Sequence, residues 1–171
     1  MSMLTSERRP GRVAVIDEEP GTFWFGAYHN LLVLVWLRRA TAESVERFAR
    51  VALPRMRASA EGASLVHIIT EGAELPDASA RAALCELHAR GDRRPGCAAV
   101  VIAQQGLEGA AMRGAIASVS LVAPKHYRIR VFDSVESAAP WLATQHERST
   151  GARFTTDEVL TVLRSARAAA A

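Results

Sequence analysis

The chain has 171 residues, of which 49% are hydrophobic and 23% are charged. A chain of this length can bury roughly two-thirds of its unfolded surface, and this composition excludes an intrinsically disordered protein. No purely apolar run, Leu31 to Leu37 included, approaches the ~20 residues that cross a bilayer. Residues 1–12 lack the apolar segment of a secretory signal. We therefore expect a cytoplasmic protein with no membrane span.

The net charge of +3 raises the question of an anionic partner. Lys125 is the only lysine, and the arginine pairs Arg8-Arg9, Arg38-Arg39 and Arg93-Arg94 are scattered along the chain. Few aromatic residues lie among them, whereas proteins that bind single strands combine basic grooves with aromatic rings. The sequence therefore predicts no nucleic-acid partner.

The cysteines and histidines form no recognisable metal motif. Cys85 and Cys97 are too few for a four-cysteine zinc site and do not form a Cys-x-x-Cys pair. Cys85 and His88 lie three residues apart on one predicted helix and could supply half of a metal site. The further candidates, His67 and His126, belong to no motif, so a core thiol beside a hydrogen-bonded histidine is the simpler interpretation. We expect no metal and no cofactor.

The first part of the chain predicts a β-meander. Residues 1–11 are polar, and we expect them to be disordered. Strands are predicted at Arg12–Asp17, Thr22–Tyr28 and Leu31–Leu37, the last with an uninterrupted apolar run that is typical of a strand covered on both faces. Glu19-Pro20-Gly21 has the proline and glycine positions of a type II turn.

Helices and strands alternate from residue 41 onward. Thr41 is predicted to cap a helix in which Pro54 should cause a kink or end the regular part. Further strands are predicted at Leu65–Thr70, Cys97–Ala103 and Tyr127–Phe132. The remaining helices are predicted from Asp77 to Arg90 with Gly91 as the stop, from Leu107 to Ala123, after an Asp133–Glu136 capping box, and after a Thr155–Glu158 capping box.

This order predicts an α/β fold with a mixed, mostly parallel central sheet, helices packed on it and an antiparallel N-terminal meander. No linker or repeat divides the chain. We expect one domain at residues 12–147, followed by a C-terminal helical extension at 148–171. That extension could pack on its own domain or on a second copy.

Three other positions have some features of functional residues. Gly106 to Gly109 follows a strand and opens a helix, but it lacks the spacing of a nucleotide-binding loop. His67 interrupts an apolar strand, where we expect a hydrogen-bonded group near a sheet edge. Asp133 lies at the end of a strand, where ligands of α/β proteins often bind, but a role as helix cap explains it.

The stretches at residues 31–48, 65–87 and 129–142, taken together, are similar to the STAS domains, the fold of anti-sigma-factor antagonists, and especially to their bacterial relatives labelled STAS-like or lipid-transfer-like. Leu31–Phe48 (LLVLVWLRRATAESVERF) resembles the strand and first helix of that fold. Leu65–Leu87 resembles its central strand, loop and second helix, and Ile129–Leu142 (IRVFDSVESAAPWL) resembles its closing strand and helix. The resemblance covers about residues 12–145 and implies a protein-binding domain of that fold.

The resemblance also implies where a regulatory or partner site would lie. Phosphorylated members carry an Asp-Ser-Ser-Gly run at the start of the second helix, whereas this chain has Asp77-Ala78-Ser79-Ala80. Ala78 lacks the hydroxyl of the switch serine, so the resemblance implies the fold more strongly than the switch. The candidate regulatory or partner site comprises Glu71, Glu74, Asp77 and Ser79.

Three functions follow as hypotheses. The first is a non-catalytic signalling module that binds a protein partner with the loop Glu71–Pro76 and the helix after it. The second is a carrier of a small apolar ligand beside the helix Leu107–Ala123, whose small residues could instead allow close packing; they are Gly109, Ala110, Ala111, Gly114 and Ala115. The third, an enzyme, requires a polar constellation that the sequence does not show. A homodimer stays open.

Overall fold

The computed structural model describes residues 12–91, 96–120 and 128–171, without the side chains of residues 88, 91 and 118–120. The predicted disordered segment 1–11, His126 and the predicted helix end at Ala123 lie outside these residues. The strands are β1 (Ala14–Glu19), β2 (Phe23–Tyr28), β3 (Leu31–Trp36), β4 (Ser64–Ile69), β5 (Cys97–Ile102) and β6 (Arg128–Phe132). The helices are α1 (Ala42–Ala58), α2 (Ala78–Gly91), α3 (Gly106–Ser120), α4 (Val135–Thr150) and α5 (Thr156–Ala170).

The strands form one six-stranded sheet in the order β1-β2-β3-β4-β5-β6. The first three strands pair antiparallel, and β3 to β6 pair parallel. Helices α1, α2 and α3 cover one face of this sheet, and α4 and α5 cover the other. The predicted mixed, mostly parallel α/β fold with an N-terminal meander is thereby confirmed.

The two turns of the meander have the geometry that their residues favour. The backbone N–H of Thr22 donates to the carbonyl of Glu19 at 2.8 Å, and Gly21 has a φ of 74°, as the third residue of a type II turn requires. His29 adopts a φ of 53° in the two-residue connection between β2 and β3. Strands β2 and β3 are almost wholly buried because both of their faces are covered by helices.

Helix α1 begins at its predicted cap, Thr41, but does not end at Pro54. The Thr41 side chain accepts a hydrogen bond from the backbone of Ser44, and the Ser44 side chain accepts one from the backbone of Thr41. The prediction that Pro54 could end the helix is wrong, since α1 continues to Ala58. Pro54 is exposed, so the backbone carbonyl that loses its partner lies on the solvent side of the helix.

The cap of α4 lies one residue later than predicted. Ser134 caps the helix by accepting from the backbone of Ser137, so the predicted Asp133–Glu136 capping box is wrong. The Asp133 carboxylate instead accepts hydrogen bonds from the hydroxyls of Ser134 and Ser137, at 3.2 and 2.8 Å. These hydroxyl groups, Ser137 foremost, lower the pKa of Asp133.

The C-terminal helix packs on its own sheet. The predicted Thr155–Glu158 capping box opens α5. Its buried residues are Val159, Val162, Leu163 and Ala166, and they lie in the same apolar layer as β2, β3 and α4. Within the described residues, no helix combines the length and apolarity that crossing a membrane requires.

Two glycines of α3, Gly109 and Gly114, differ in how closely other atoms approach them. A Cβ atom at Gly109 would lie 1.9 Å from the backbone oxygen of Gln104, so this position allows the helix to meet the preceding loop closely. A Cβ atom at Gly114 would meet no atom within 4 Å. Close packing therefore explains Gly109 and does not explain Gly114.

Candidate functional site

The predicted partner site lies on the loop between β4 and α2, at the carboxyl ends of the parallel strands. Glu71 and Glu74 are exposed, and Ala73 and Pro76 are buried beneath them. Leu75 lies between these anchors with 38% of its surface exposed. The loop is therefore held from below while it presents charged groups and one leucine to solvent.

Asp77 and Ser79 form the start of α2. The Asp77 carboxylate accepts hydrogen bonds from the Ala80 backbone at 2.8 Å and from the Ser79 hydroxyl at 2.7 Å. The Ala80 N–H and then the Ser79 hydroxyl lower the pKa of Asp77. A phosphate on Ser79 would replace the donated hydroxyl hydrogen with a dianion beside this carboxylate, which like-charge repulsion disfavours.

An ion pair joins this loop to the segment after β3. Arg39 donates to the carboxylate of Glu74, and the two side chains are 52% and 65% exposed. Arg38 and Glu74 together line a polar groove of about 640 Å³ that also includes Thr41 and Glu43 at the start of α1. The predicted site residue Glu74 therefore belongs to the wall of a groove as well as to the loop.

An apolar cavity lies directly behind the loop, on the face covered by α2 and α3. Its volume is about 30 Å³, which is room for about two water molecules. Its large apolar side chains come from the sheet and both helices, and they are Trp36, Ile69, Leu84, Val100, Ile116 and Ile129. Glu74 and Pro76 of the loop lie at its rim.

A second exposed leucine follows the next strand of the sheet. Leu107 is the second residue of α3 and is 90% exposed. Among the described residues, the exposed large hydrophobic side chains are Leu75, Leu107 and Val15. Leu75 follows β4 and Leu107 follows β5. Because these two strands are adjacent and parallel, both leucines lie at the same edge of the sheet, beyond the carboxyl ends of the strands. Val15 lies at the far side, on β1.

His67 occupies the centre of the sheet. It lies on β4 between β3 and β5, so the expectation of a position near a sheet edge is wrong. Its Nδ1 atom accepts a hydrogen bond from the Trp36 indole N–H at 3.3 Å. Cys85 is half-buried on α2, and the His88 side chain lies outside the described residues. The part of the chain that the structure describes contains no group of three or more metal-ligating side chains.

A buried chain of polar residues at the opposite edge of the sheet was missed from the sequence. His146 on α4 bonds through Nδ1 to the Ser64 hydroxyl at 2.8 Å and through Nε2 to the Asn30 amide oxygen at 3.0 Å. The Ser64 hydroxyl also lies 3.2 Å from the Cys97 sulfur. Ser64, Cys97 and His146 are at most 1% exposed.

The hydrogen atoms of this chain have one consistent arrangement. The Asn30 amide nitrogen donates to the Gly62 carbonyl at 3.0 Å, so the Asn30 oxygen accepts from Nε2–H of His146. A neutral imidazole with its hydrogen on Nε2 has an acceptor at Nδ1, which then receives the Ser64 hydroxyl hydrogen. The Cys97 thiol consequently donates to Ser64.

This arrangement resembles a hydroxyl–histidine pair of a nucleophilic enzyme, but its environment opposes catalysis. Burial lowers the pKa of His146 to about 4 and raises the pKa of Cys97 to about 11. Phe154 stacks on the His146 ring at 4.9 Å. A nucleophile requires access for its substrate, and Ser64 is fully buried. The hydrogen-bonded residues Ser64, Cys97 and His146 therefore join β4, β5 and α4, and none of these three side chains is accessible to solvent.

Comparison with known proteins identifies no family. No protein-family model matches the sequence, and no curated protein matches it. A solved structure similar to the chain is that of a Thermotoga maritima protein described as a "putative anti-sigma factor antagonist". The two are 11% identical, the match covers 70% of this chain and 93% of the other, and the TM-score is 0.49. The resemblance to STAS domains accordingly stays a prediction.

Proposed function

We propose that the chain is a non-catalytic module that binds a protein partner through the carboxyl edge of its parallel strands. The binding surface comprises the loop and first helical turn Glu71–Ser79 together with Leu107. In the described residues, the buried hydroxyl, thiol and imidazole groups of Ser64, Cys97 and His146 bond to one another. They are therefore placed to stabilise the fold.

The observation that carries this proposal is the exposure of Leu75 and Leu107 on loops that follow adjacent parallel strands. Protein interfaces combine an apolar centre with a polar rim. Glu71, the Arg39–Glu74 ion pair and Asp77 supply such a rim around Leu75. Ligands of open α/β sheets also bind preferentially at the carboxyl ends of the strands.

The alternative function, a carrier of a small apolar ligand, has a cavity of the right chemistry. Trp36, Leu84 and Ile116 are among its lining residues. However, pockets that enclose a small molecule typically measure ~300 Å³ or more, and this cavity measures about 30 Å³. The size favours the interaction module. Native mass spectrometry of the purified protein tests the alternative, which requires a ligand that co-purifies.

The interaction module is tested by capture of partners from the native cell with three baits: the unchanged chain, Leu75→Ser/Leu107→Ser, and Val15→Ser. Val15 is 55% exposed on β1, at the other side of the sheet, so its variant is the matched control. We expect a protein that the unchanged chain and Val15→Ser both retain and that the double variant loses. Calorimetric titration of that purified protein should then show at least about ten-fold weaker binding to the double variant.

Substitution of exposed side chains usually changes stability by less than about 0.5 kcal/mol, so all three baits should have similar melting temperatures. The proposal is wrong if no protein depends on the two leucines. It is equally wrong if Val15→Ser weakens the same complex to the same extent, because the leucines would then act only through general surface hydrophobicity.

A further inference from the structure

The apolar cavity has one charged lining residue whose charge no ion pair neutralises. The charged residues that line it are Arg38 and Glu74. Glu74 is paired with Arg39, whereas Arg38 makes no ion pair within the described residues. Arg38 also lines the polar groove outside the cavity, so it lies where the apolar space meets solvent.

We propose that the cavity and Arg38 together bind an aliphatic side chain of the partner protein that lies next to a carboxylate of that partner. The side chain would enter among Ile69, Leu84 and Ile116, and the carboxylate would lie in the groove beside Arg38. This assignment rests on the proposed interaction module and names the chemistry of its partner.

The carboxylate follows from charge complementarity. Arg38 is exposed, and its guanidinium presents a planar set of donors that matches a carboxylate. Two other carboxylates line the same groove. Glu19 lies 3.9 Å from the Arg47 guanidinium, and Glu43 lies in the first turn of α1, where the helix dipole stabilises its negative charge. Arg38 therefore remains the cation that is available to an incoming anion.

The aliphatic side chain follows from the size and lining of the cavity. A volume of about 30 Å³ accommodates the tip of one side chain and excludes a lipid chain. Glu74, at the rim of the cavity, can move aside for the incoming side chain, because Glu74 and its ion-pair partner Arg39 are both more than half exposed. Exposed ion pairs of this kind contribute little to stability.

The test is a titration of the full chain with 4-methylpentanoate, a leucine-like side chain attached to a carboxylate, followed by ¹H–¹⁵N NMR. The indole N–H of Trp36 reports on the cavity, and that of Trp24, which is buried on the opposite face, is the internal control. We expect saturable shifts of Trp36 and of residues 73–75, with an affinity in the millimolar range and a stationary Trp24 signal.

Two matched controls isolate the charge. The neutral analogue 4-methylpentanamide should bind about three-fold more weakly, and Arg38→Gln should remove this difference. Arg50→Gln, which changes an exposed arginine in the middle of α1, should leave it intact. Absence of saturable shifts at Trp36, or equal binding of acid and amide to the unchanged chain, overturns the proposal.

The source of the occupant is tested separately. A carboxylic acid found with the freshly purified chain by native mass spectrometry would show that a free molecule occupies the site, which contradicts the assignment to a partner protein. If the leucine-dependent partner is captured but Trp36 does not respond to the probe, the interaction module stands and the cavity assignment falls.

Discussion

The Nδ1 atom of His146 accepts a hydrogen bond from the Ser64 hydroxyl at 2.8 Å, although the two residues are 82 positions apart. Ser64 begins β4 and His146 lies near the end of α4, so this bond fixes the last part of α4 against the amino edge of the sheet. The same ring reaches the β2–β3 connection through Asn30. One neutral imidazole therefore joins three parts of the fold.

Acidification should reduce stability through His146. The ring is 1% exposed, and burial lowers its pKa from 6.5 to about 4. Between these values the unfolded chain binds a proton that the folded chain does not, so the free energy of unfolding falls as the pH decreases and levels off near pH 4. The total loss should be roughly 3 kcal/mol.

Urea unfolding between pH 7 and pH 4.5 measures this effect before most carboxylates titrate. His146→Gln should be less stable at pH 7 and should lose most of the pH dependence. His29→Asn changes an exposed histidine to a residue that tolerates its positive φ, and it should keep the dependence. If the free energy of unfolding depended on pH equally in His146→Gln and in the unchanged chain, the assigned role of His146 would be contradicted.

Ser64→Ala should destabilise the fold by about 1–3 kcal/mol, because it removes the hydroxyl that donates to the buried Nδ1 atom of His146 and accepts from the Cys97 backbone N–H. Thermal unfolding measures the change. Thr161→Ala, at an exposed position of α5, is the control and should change little. A Ser64→Ala variant as stable as the unchanged chain would show that water or another group replaces the hydroxyl at no cost.

The sequence predicts local features well because they depend on neighbouring residues. The capping box of Thr155 and Glu158 and the turn at Gly21 each lie within four residues, and both have the predicted geometry. The apolar run at β3 likewise predicts a strand with two covered faces. Such signals require no knowledge of which elements meet in space.

Long-range contacts could not be predicted in the same way. The sequence does not give the order of the strands, so it predicts His67 near a sheet edge, whereas β4 lies between β3 and β5. The bond between Asn30 and His146 joins residues 116 positions apart. A partial signal for His146 exists, since it lies four residues after Leu142 and so on the buried side of α4, but its partners come from other elements.

The two glycines of α3 should respond in opposite directions to the same substitution. Gly109→Ala places a Cβ atom against the Gln104 carbonyl, so the helix or the loop must move, and we expect a loss of several kcal/mol. Gly114→Ala meets no atom within 4 Å and should stabilise the helix by about 1 kcal/mol. Denaturant unfolding of both variants measures the difference, and similar effects would contradict the close approach at Gly109.

The C-terminal helix should behave as part of the core of the domain. Leu163 is fully buried against the sheet face that α4 also covers, so Leu163→Ala should cost about 2–5 kcal/mol. Leu107→Ala removes the same atoms from a side chain that is 90% exposed, and it should change stability by less than about 0.5 kcal/mol. Calorimetric unfolding should show one transition that Leu163→Ala shifts as a whole. Two separate transitions, with only the smaller one shifted, would instead show that α5 docks as an independent unit.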